Sequence, residues 1–272
     1  MTKNEILKAT VNAGIGKANL HLGKMFLLAV LAGAFIAFGA ESSNMATFGL
    51  LSQPLTFGLG KCLAGAIFAA GLIMVILAGG ELFTGNSLMV AAAVDKKITW
   101  GGMLRNWVVV YIGNFVGAVL IAFLMYQSGL FGSGADLLGG MTVKIAAGKC
   151  GLSFAKAFIL GILCNWLVCL AVWMCTGADS TIGKIFSIFF PIWVFVTSGF
   201  EHSIANMYYI PAGLFAKAND AFAGASGLTD AALSKLSWSG FFVNNLIPVT
   251  LGNIIGGGIF VAGIYYLIYR EK

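Results

Sequence analysis

The sequence predicts an all-α polytopic membrane protein with six transmembrane helices, arranged as an inverted 3+3 repeat whose second and fifth spans are interrupted. Three observations predict this fold. Of the 272 residues, 59% are hydrophobic and 10% are charged, whereas a soluble domain carries about 25% charged residues. Six apolar segments approach the roughly 20 residues that a helix needs to cross a bilayer. Two of these segments contain the same pattern, G-x-E-x-x-x-x-N.

The first element is an amphipathic helix at residues 1–22, on the cytoplasmic side, ahead of a six-span domain at 23–272. Thr2 and Glu5 have the spacing of a capping box. Apolar residues then recur at helical spacing from Leu7, with lysines around them. The helix is expected either to lie at the membrane surface or to pack against the cytoplasmic ends of the bundle.

Six spans follow this helix, separated by connections of different length. The longest connections are 128–153, which is rich in glycine, and 210–239. The more polar part of the latter, 219–239, is expected to form an ordered loop or short surface helices. The spans are expected at about 25–43, 61–94, 104–127, 154–176, 184–209 and 240–269.

An internal repeat relates the two halves, about 23–128 and 154–270. Residues 24–31 resemble residues 156–163, and the two interrupted turns match each other. Each half has an odd number of spans, so the two halves insert with opposite orientation. That architecture is typical of channels and transporters, with the site at mid-membrane between the repeats. The matched asparagines of the third and sixth spans are Asn106 and Asn114, and Asn245 and Asn253.

The basic residues predict the orientation, because cytoplasmic loops are enriched in Lys and Arg. With the N-terminus inside, ten of the sixteen Lys and Arg residues, including Lys272, lie on the cytoplasmic side. The sequence therefore predicts a protein of the cell membrane with both termini in the cytoplasm. Lys149 lies on the opposite side and needs another explanation.

The two interrupted turns, 79–86 and 199–206, place glycines and polar side chains at membrane depth. Unpaired backbone groups and charges are costly in lipid. The turns are therefore expected to be buried in protein or to line a cavity, as broken helices do at binding sites. The second half-helix of each span, near Gly85 and Ile204, would point its positive end at the midplane, which favours an anion.

His202 is the strongest candidate for a donor to such an anion, because it lies in the second break directly after a carboxylate. Histidine titrates near physiological pH, so it could also exchange a proton with the anion. Thr84, in the first break, is a second donor or a cap for the following half-helix. Lys149 would draw anions towards His202 if its connection folds back into the outer mouth.

Other polar side chains of these spans are expected to hold the breaks. Asn165 and Asn206 orient His202 or hold the turns. Two glutamates accept hydrogen bonds from the broken backbone, since a bare carboxylate on an anion path would repel the anion. The residues expected to support the breaks are Glu81, Glu201, Asn86 and Asn206.

Apolar side chains near the breaks are expected to narrow the path and to select small ions, because a hydrophobic constriction strips the hydration shell. These residues are Phe68, Leu72, Leu82, Val168 and Phe195.

Three motifs resemble the formate/nitrite transporter family, and the resemblance covers residues 3–272. G-E-L-F-T-G-N at 80–86 is similar to the first interrupted helix of that family. C-N-W-L-V-C at 164–169 is similar to its fourth span, and G-F-E-H-S-I-A-N-M at 199–207 to its second interrupted helix. The chain as a whole is most similar to the hydrosulfide-channel branch.

The resemblance implies an aquaporin-like homopentamer in which each protomer has its own pore. It implies passive passage of small monovalent anions such as formate, nitrite or hydrosulfide. The resemblance places Phe68 and Leu72 at a cytoplasmic constriction. It also implies an outer constriction formed by Leu82, Val168 and Phe195. The residues that it implies at and above the central site are Thr84, Asn165, Lys149 and His202.

Two other functions compete with a channel. One is a proton-coupled symporter of weak acids such as formate or nitrite, which would use the same His202. The other is a membrane enzyme, which is disfavoured because the sequence has no activated nucleophile, no metal cluster and no cofactor motif. No basic run with interleaved aromatic residues indicates nucleic-acid binding.

Overall fold

The computed structural model describes residues 1–271, so the cytoplasmic position expected for Lys272 lies outside the described residues. Within 1–271 the regular secondary structure is entirely helical. The α-helices are α1 Lys3–Ala18, α2 Leu22–Leu51, α3 Phe57–Met74, α4 Met89–Val94, α5 Trp100–Gln127, α6 Leu137–Cys150, α7 Phe154–Thr176, α8 Thr181–Ser198, α9 Ser203–Lys217, α10 Asp220–Ala225, α11 Asp230–Lys235, α12 Ile247–Ile254 and α13 Ile264–Tyr269.

Six of these helical segments are long and apolar enough to cross a membrane, which confirms the predicted number of spans. The last span is continuous, because π-helical turns at Gly240–Leu246 and Ile255–Gly263 join α12 and α13 into one helix. The spans generally begin a few residues earlier than predicted, and two of them end eight residues later. α2 continues to Leu51, and α9 continues to Lys217. The short helices α10 and α11 confirm the expectation for 219–239.

Both predicted interruptions are present. α3 passes into a π-helical turn that ends at Gly79, and a 3₁₀ turn at Gly85–Leu88 starts the second half of that span. α8 ends at Ser198, and α9 starts at Ser203. Gly79 has φ +92° and Gly199 has φ +78°, a region that glycine enters without steric cost. Each break therefore begins at a glycine with positive φ, two positions before the glutamate of that break.

Close contacts between helix backbones hold each half together. α2 packs on α5 in the first half, and α7 packs on α12 in the second. A Cβ atom at Gly117 would overlap the carbonyl oxygen of Val30, and one at Gly256 would overlap that of Ile162. Small residues let membrane helices approach in this way. The two crossings are equivalent in the repeat.

The Gly117→Ala variant is expected to lose about 1–3 kcal/mol of stability, the usual cost of inserting a methyl group into a close-packed site. Thermal unfolding of the purified protein in detergent measures the effect. Gly101→Ala is the matched control in the same helix α5, because a Cβ at Gly101 has no neighbour within 4 Å. Equal melting temperatures for the two variants would show that the α2–α5 crossing is not close-packed.

The N-terminal helix packs against the bundle, the second of the two positions expected for it. α1 begins at the predicted capping box, in which the Glu5 backbone N–H donates to Thr2 Oγ1 and the Thr2 N–H donates to the Glu5 carboxylate. Its buried residues Ile6, Leu7 and Val11 contact the half-helix of span two and the end of the chain. α1 is therefore packed against the helical bundle as part of the fold.

Candidate functional site

The two breaks meet at a hydrogen bond between Thr84 and His202. Thr84 Oγ1 lies 2.9 Å from His202 Nε2, and both side chains are buried. His202 also caps α9, because its Nδ1 accepts a hydrogen bond of 3.0 Å from the Ala205 backbone N–H. An accepting Nδ1 places the ring proton on Nε2, which then donates to Thr84. The Thr84 hydroxyl hydrogen remains available to a third group.

Asn165 ties the first break to the last span. Its Nδ2 donates to the backbone oxygen of Thr84 at 3.1 Å and to that of Asn253 at 2.7 Å. These backbone contacts, with a further one to the Ser87 hydroxyl at 3.2 Å, occupy the amide donors. Asn165 therefore bonds to the turn of the first break, and its place at the central anion site stays a prediction.

A buried polar network surrounds the glutamate of the first break. Glu81 accepts a hydrogen bond of 2.7 Å from Lys17 Nζ and another of 2.7 Å from Asn86 Nδ2. Asn86 also donates to Asn106 Oδ1 at 2.8 Å. Asn106 in turn donates to the Lys17 carbonyl oxygen at 3.2 Å, so the network closes on itself.

The second break has the same network with equivalent members. Glu201 accepts from Lys149 Nζ at 2.8 Å and from Asn206 Nδ2 at 2.7 Å. Asn206 donates to Asn245 Oδ1 at 2.7 Å, and Asn245 donates to the Lys149 carbonyl oxygen at 3.1 Å. The supporting residues were predicted, but the partners of the carboxylates were not. The two carboxylates were expected to accept hydrogen bonds from the N–H groups of the broken backbone, but their donors are lysine and asparagine side chains.

Besides Asn165, one equivalent asparagine in each half bonds to the broken backbone at two points. Asn114 Oδ1 accepts from the Phe83 N–H at 3.0 Å, and its Nδ2 donates to the Glu81 carbonyl oxygen at 2.9 Å. Asn253 makes the equivalent bonds to the Ser203 N–H and the Glu201 carbonyl oxygen, at 2.9 and 3.0 Å. Asn114 and Asn253 were noticed in the sequence only as a repeat signal. Their placement eight residues after Asn106 and Asn245 could have assigned them this role.

Lys17 is a site residue that sequence reasoning missed. It lies seven residues before Lys24, as Lys149 lies seven residues before Lys156. The two matched lysines end α1 and α6, so the correspondence between the halves extends to one further helix on each side. The spacing to the already matched lysines was the signal that could have found it.

A cavity of about 370 Å³ opens on one side of the Thr84–His202 contact. Lys149 lines it, so its connection does fold back towards His202, through helix α6. Phe68 and Phe195 line its inner end in edge-to-face contact, with ring centroids 5.7 Å apart. The His202 ring stacks against Phe195 at 5.9 Å, so two aromatic rings and the histidine line the same part of the cavity.

This geometry corrects the implied division of the apolar residues between two constrictions. Phe68 cannot belong to a different constriction from Phe195, because their rings touch. α3 reaches the midplane from the cavity side, and Phe195 lies within one turn of the second break. Sequence distance from a break does not reveal this meeting. Leu72, Leu82 and Val168 are buried and lie outside the cavity lining.

An inverted pair of interrupted spans that meet at a buried histidine defines a membrane transport protein. The family model for formate/nitrite transporters matches residues 4–267. The chain belongs to the formate/nitrite transporter family and is not an enzyme.

Relatives and a solved structure agree with this assignment over nearly the whole chain. A probable formate transporter of Methanothermobacter thermautotrophicus is 44% identical over 270 residues, covering 94% of this chain and 92% of the relative. The formate channel FocA of Escherichia coli K12 is 42% identical over 267 residues, covering 97% and 93%. A pentameric formate channel solved with formate bound superposes with a TM-score of 0.80 at 40% identity, covering 92% of this chain and 98% of that one.

Proposed function

We propose that the chain is a passive, selective channel for small monovalent anions, with a separate pore through each protomer. The observation that carries the proposal is the Thr84–His202 contact beneath the basic cavity. It offers the Thr84 hydroxyl hydrogen at mid-membrane, because the ring N–H of His202 donates to the hydroxyl oxygen, and an anion that has lost its water needs such a donor. The two aromatic rings before it limit the path to small ions.

Formate is the first substrate to test. The relatives described above are named for formate, and one solved relative holds it. The sequence-based preference for hydrosulfide rests on overall similarity alone, and nitrite on family membership, so both follow formate in rank. A homopentamer in the cell membrane, with both termini in the cytoplasm, completes the proposal. A pentameric relative and the lysine bias support it.

We expect proteoliposomes that contain the protein to pass formate down its concentration gradient, and to pass chloride much more slowly. The assay compares formate, hydrosulfide, nitrite and chloride, with and without a pH gradient, against liposomes that lack protein. The neutral His202 tautomer, held by its bond from Ala205, favours a channel over proton exchange. Accumulation of formate against its gradient when pH differs across the membrane would favour the symporter instead. Absence of flux for all four anions would refute both.

A further inference from the structure

We propose that the basic cavity binds a divalent oxyanion of the sulfate class, which does not pass the aromatic rings and so blocks the pore from the cavity side. The blocking step rests on the proposed channel function, whereas the binding step does not. The site would consist of Lys61, Lys144 and Asn44, ahead of the Thr84–His202 contact.

The cavity wall carries an excess of positive charge. Three lysines line it, at positions 61, 144 and 149, and Glu201 is the one carboxylate among the described residues of the lining. Lys149 is paired with Glu201, whereas neither Lys61 nor Lys144 has a carboxylate within 4.0 Å in the described chain. Two lysines of the lining are therefore outside any ion pair in the described chain, and two ammonium groups match the charge of a dianion.

Asn44 supplies an independent indication of a ligand. It lines the same cavity, its side chain is 97% buried at 3% relative exposure, and its Nδ2 has no hydrogen-bond partner in the described part of the chain. A buried amide without a partner destabilises the fold, so most buried amides in proteins have one. An oxyanion in the cavity would supply the acceptor that this NH₂ group lacks.

The neighbouring carboxyl of Glu41 does not cancel this charge pattern. Glu41 lies one turn before Asn44 but does not line the cavity, and its carboxylate accepts a hydrogen bond from the Tyr208 hydroxyl. Tyr209 lines the cavity and lies 5.2 Å from Lys149 Nζ. The groups that line the cavity are thus two ammonium groups outside any ion pair, the Lys149–Glu201 pair, one amide and neutral side chains.

The aromatic rings of Phe68 and Phe195 allow the oxyanion to bind in the cavity but not to pass through the pore. A cavity of about 370 Å³ has room for a tetrahedral oxyanion, because small-molecule sites begin near ~300 Å³. Beyond it, the Phe68–Phe195 pair offers no polar atom, and stripping a dianion of water costs far more than stripping a monoanion. The oxyanion would therefore stay in the cavity, against the two rings.

Equilibrium dialysis of the detergent-solubilised protein against radiolabelled sulfate at constant ionic strength tests the binding step. We expect one sulfate per chain, and about tenfold weaker binding in Lys144→Gln or Asn44→Leu, since each variant removes one hydrogen-bond donor to the charged ligand. Lys144 is exposed, so its replacement leaves the fold intact. Perchlorate, with the same shape and one charge, should not displace sulfate. Unchanged sulfate binding in Lys61→Gln/Lys144→Gln, or none in the unaltered protein, would overturn the proposal.

Sulfate inhibition of formate flux tests the blocking step. Sulfate on the cavity side should reduce the flux of the unaltered protein and leave the Lys61→Gln/Lys144→Gln flux unchanged at equal ionic strength. Flux that sulfate does not reduce, despite binding, would overturn the block. Sulfate binding without any formate flux would leave this site standing and would refute the proposed function instead.

Discussion

Replacement of His202 by phenylalanine is expected to reduce formate flux at least about tenfold, because the ring N–H that turns the Thr84 hydroxyl hydrogen towards the anion is lost, and with it one hydrogen bond to a charged group. Phenylalanine keeps the aromatic ring that stacks on Phe195 but removes both nitrogens. The Nε2 donor beside Thr84 disappears, and the Ala205 N–H at the start of α9 loses its cap. Formate flux into proteoliposomes, measured at equal protein density, gives the size of the loss.

Two control variants separate the donor from the cap. His202→Asn keeps a capping oxygen, because asparagine is among the best N-cap residues, but it lacks the ring N–H. It should melt near the unaltered protein and still lose flux. His21, the other histidine, caps α2 outside the cavity lining, so His21→Asn should transport normally. Full formate permeation in both His202 variants would show that the central site has been misassigned.

The breaks were predictable because polar residues and glycines inside an apolar segment are unfavourable in an unbroken membrane helix. Glutamate, glycine and asparagine inside apolar runs have few solutions in lipid other than an interrupted helix. The position of His202 in the second break made it a candidate before any geometry was known. The contact with Thr84 followed from the inverted repeat, which brings the two breaks together at mid-membrane.

The partners of the two glutamates were not predictable from local pattern. Lys17 lies 64 residues before Glu81 in the chain, and the amphipathic pattern of α1 fits a helix on the membrane surface as well as one packed on the bundle. Only the packing of α1 on α4 brings its last turn to the first break. The contact between Phe68 and Phe195 was not predicted either, because it depends on where two different spans cross.

The Lys149→Glu variant is expected to lose about 3–5 kcal/mol of stability, the usual cost of leaving a buried charge without its partner. Two carboxylates would then lie in place of a pair 2.8 Å apart, with side-chain exposures of only 16% and 7%. Glu201 also anchors Asn206 and Asn245, so its displacement should shift the start of α9 and with it His202. Formate flux should fall along with the melting temperature in detergent.

The salt dependence of this loss distinguishes a buried ion pair from a surface charge that merely attracts anions. Added salt screens exposed charges but acts much less on buried pairs, so the Lys149→Glu defect should persist at high ionic strength. Lys235→Glu makes the same change of charge at an exposed position outside the cavity lining, and it should alter neither stability nor high-salt flux. Lys149→Met, which removes the cation without adding a second carboxylate, should fall between the two. If Lys149→Glu instead melted like Lys235→Glu and regained its flux in salt, Lys149 would act through its field alone and the second break would be held by its asparagines.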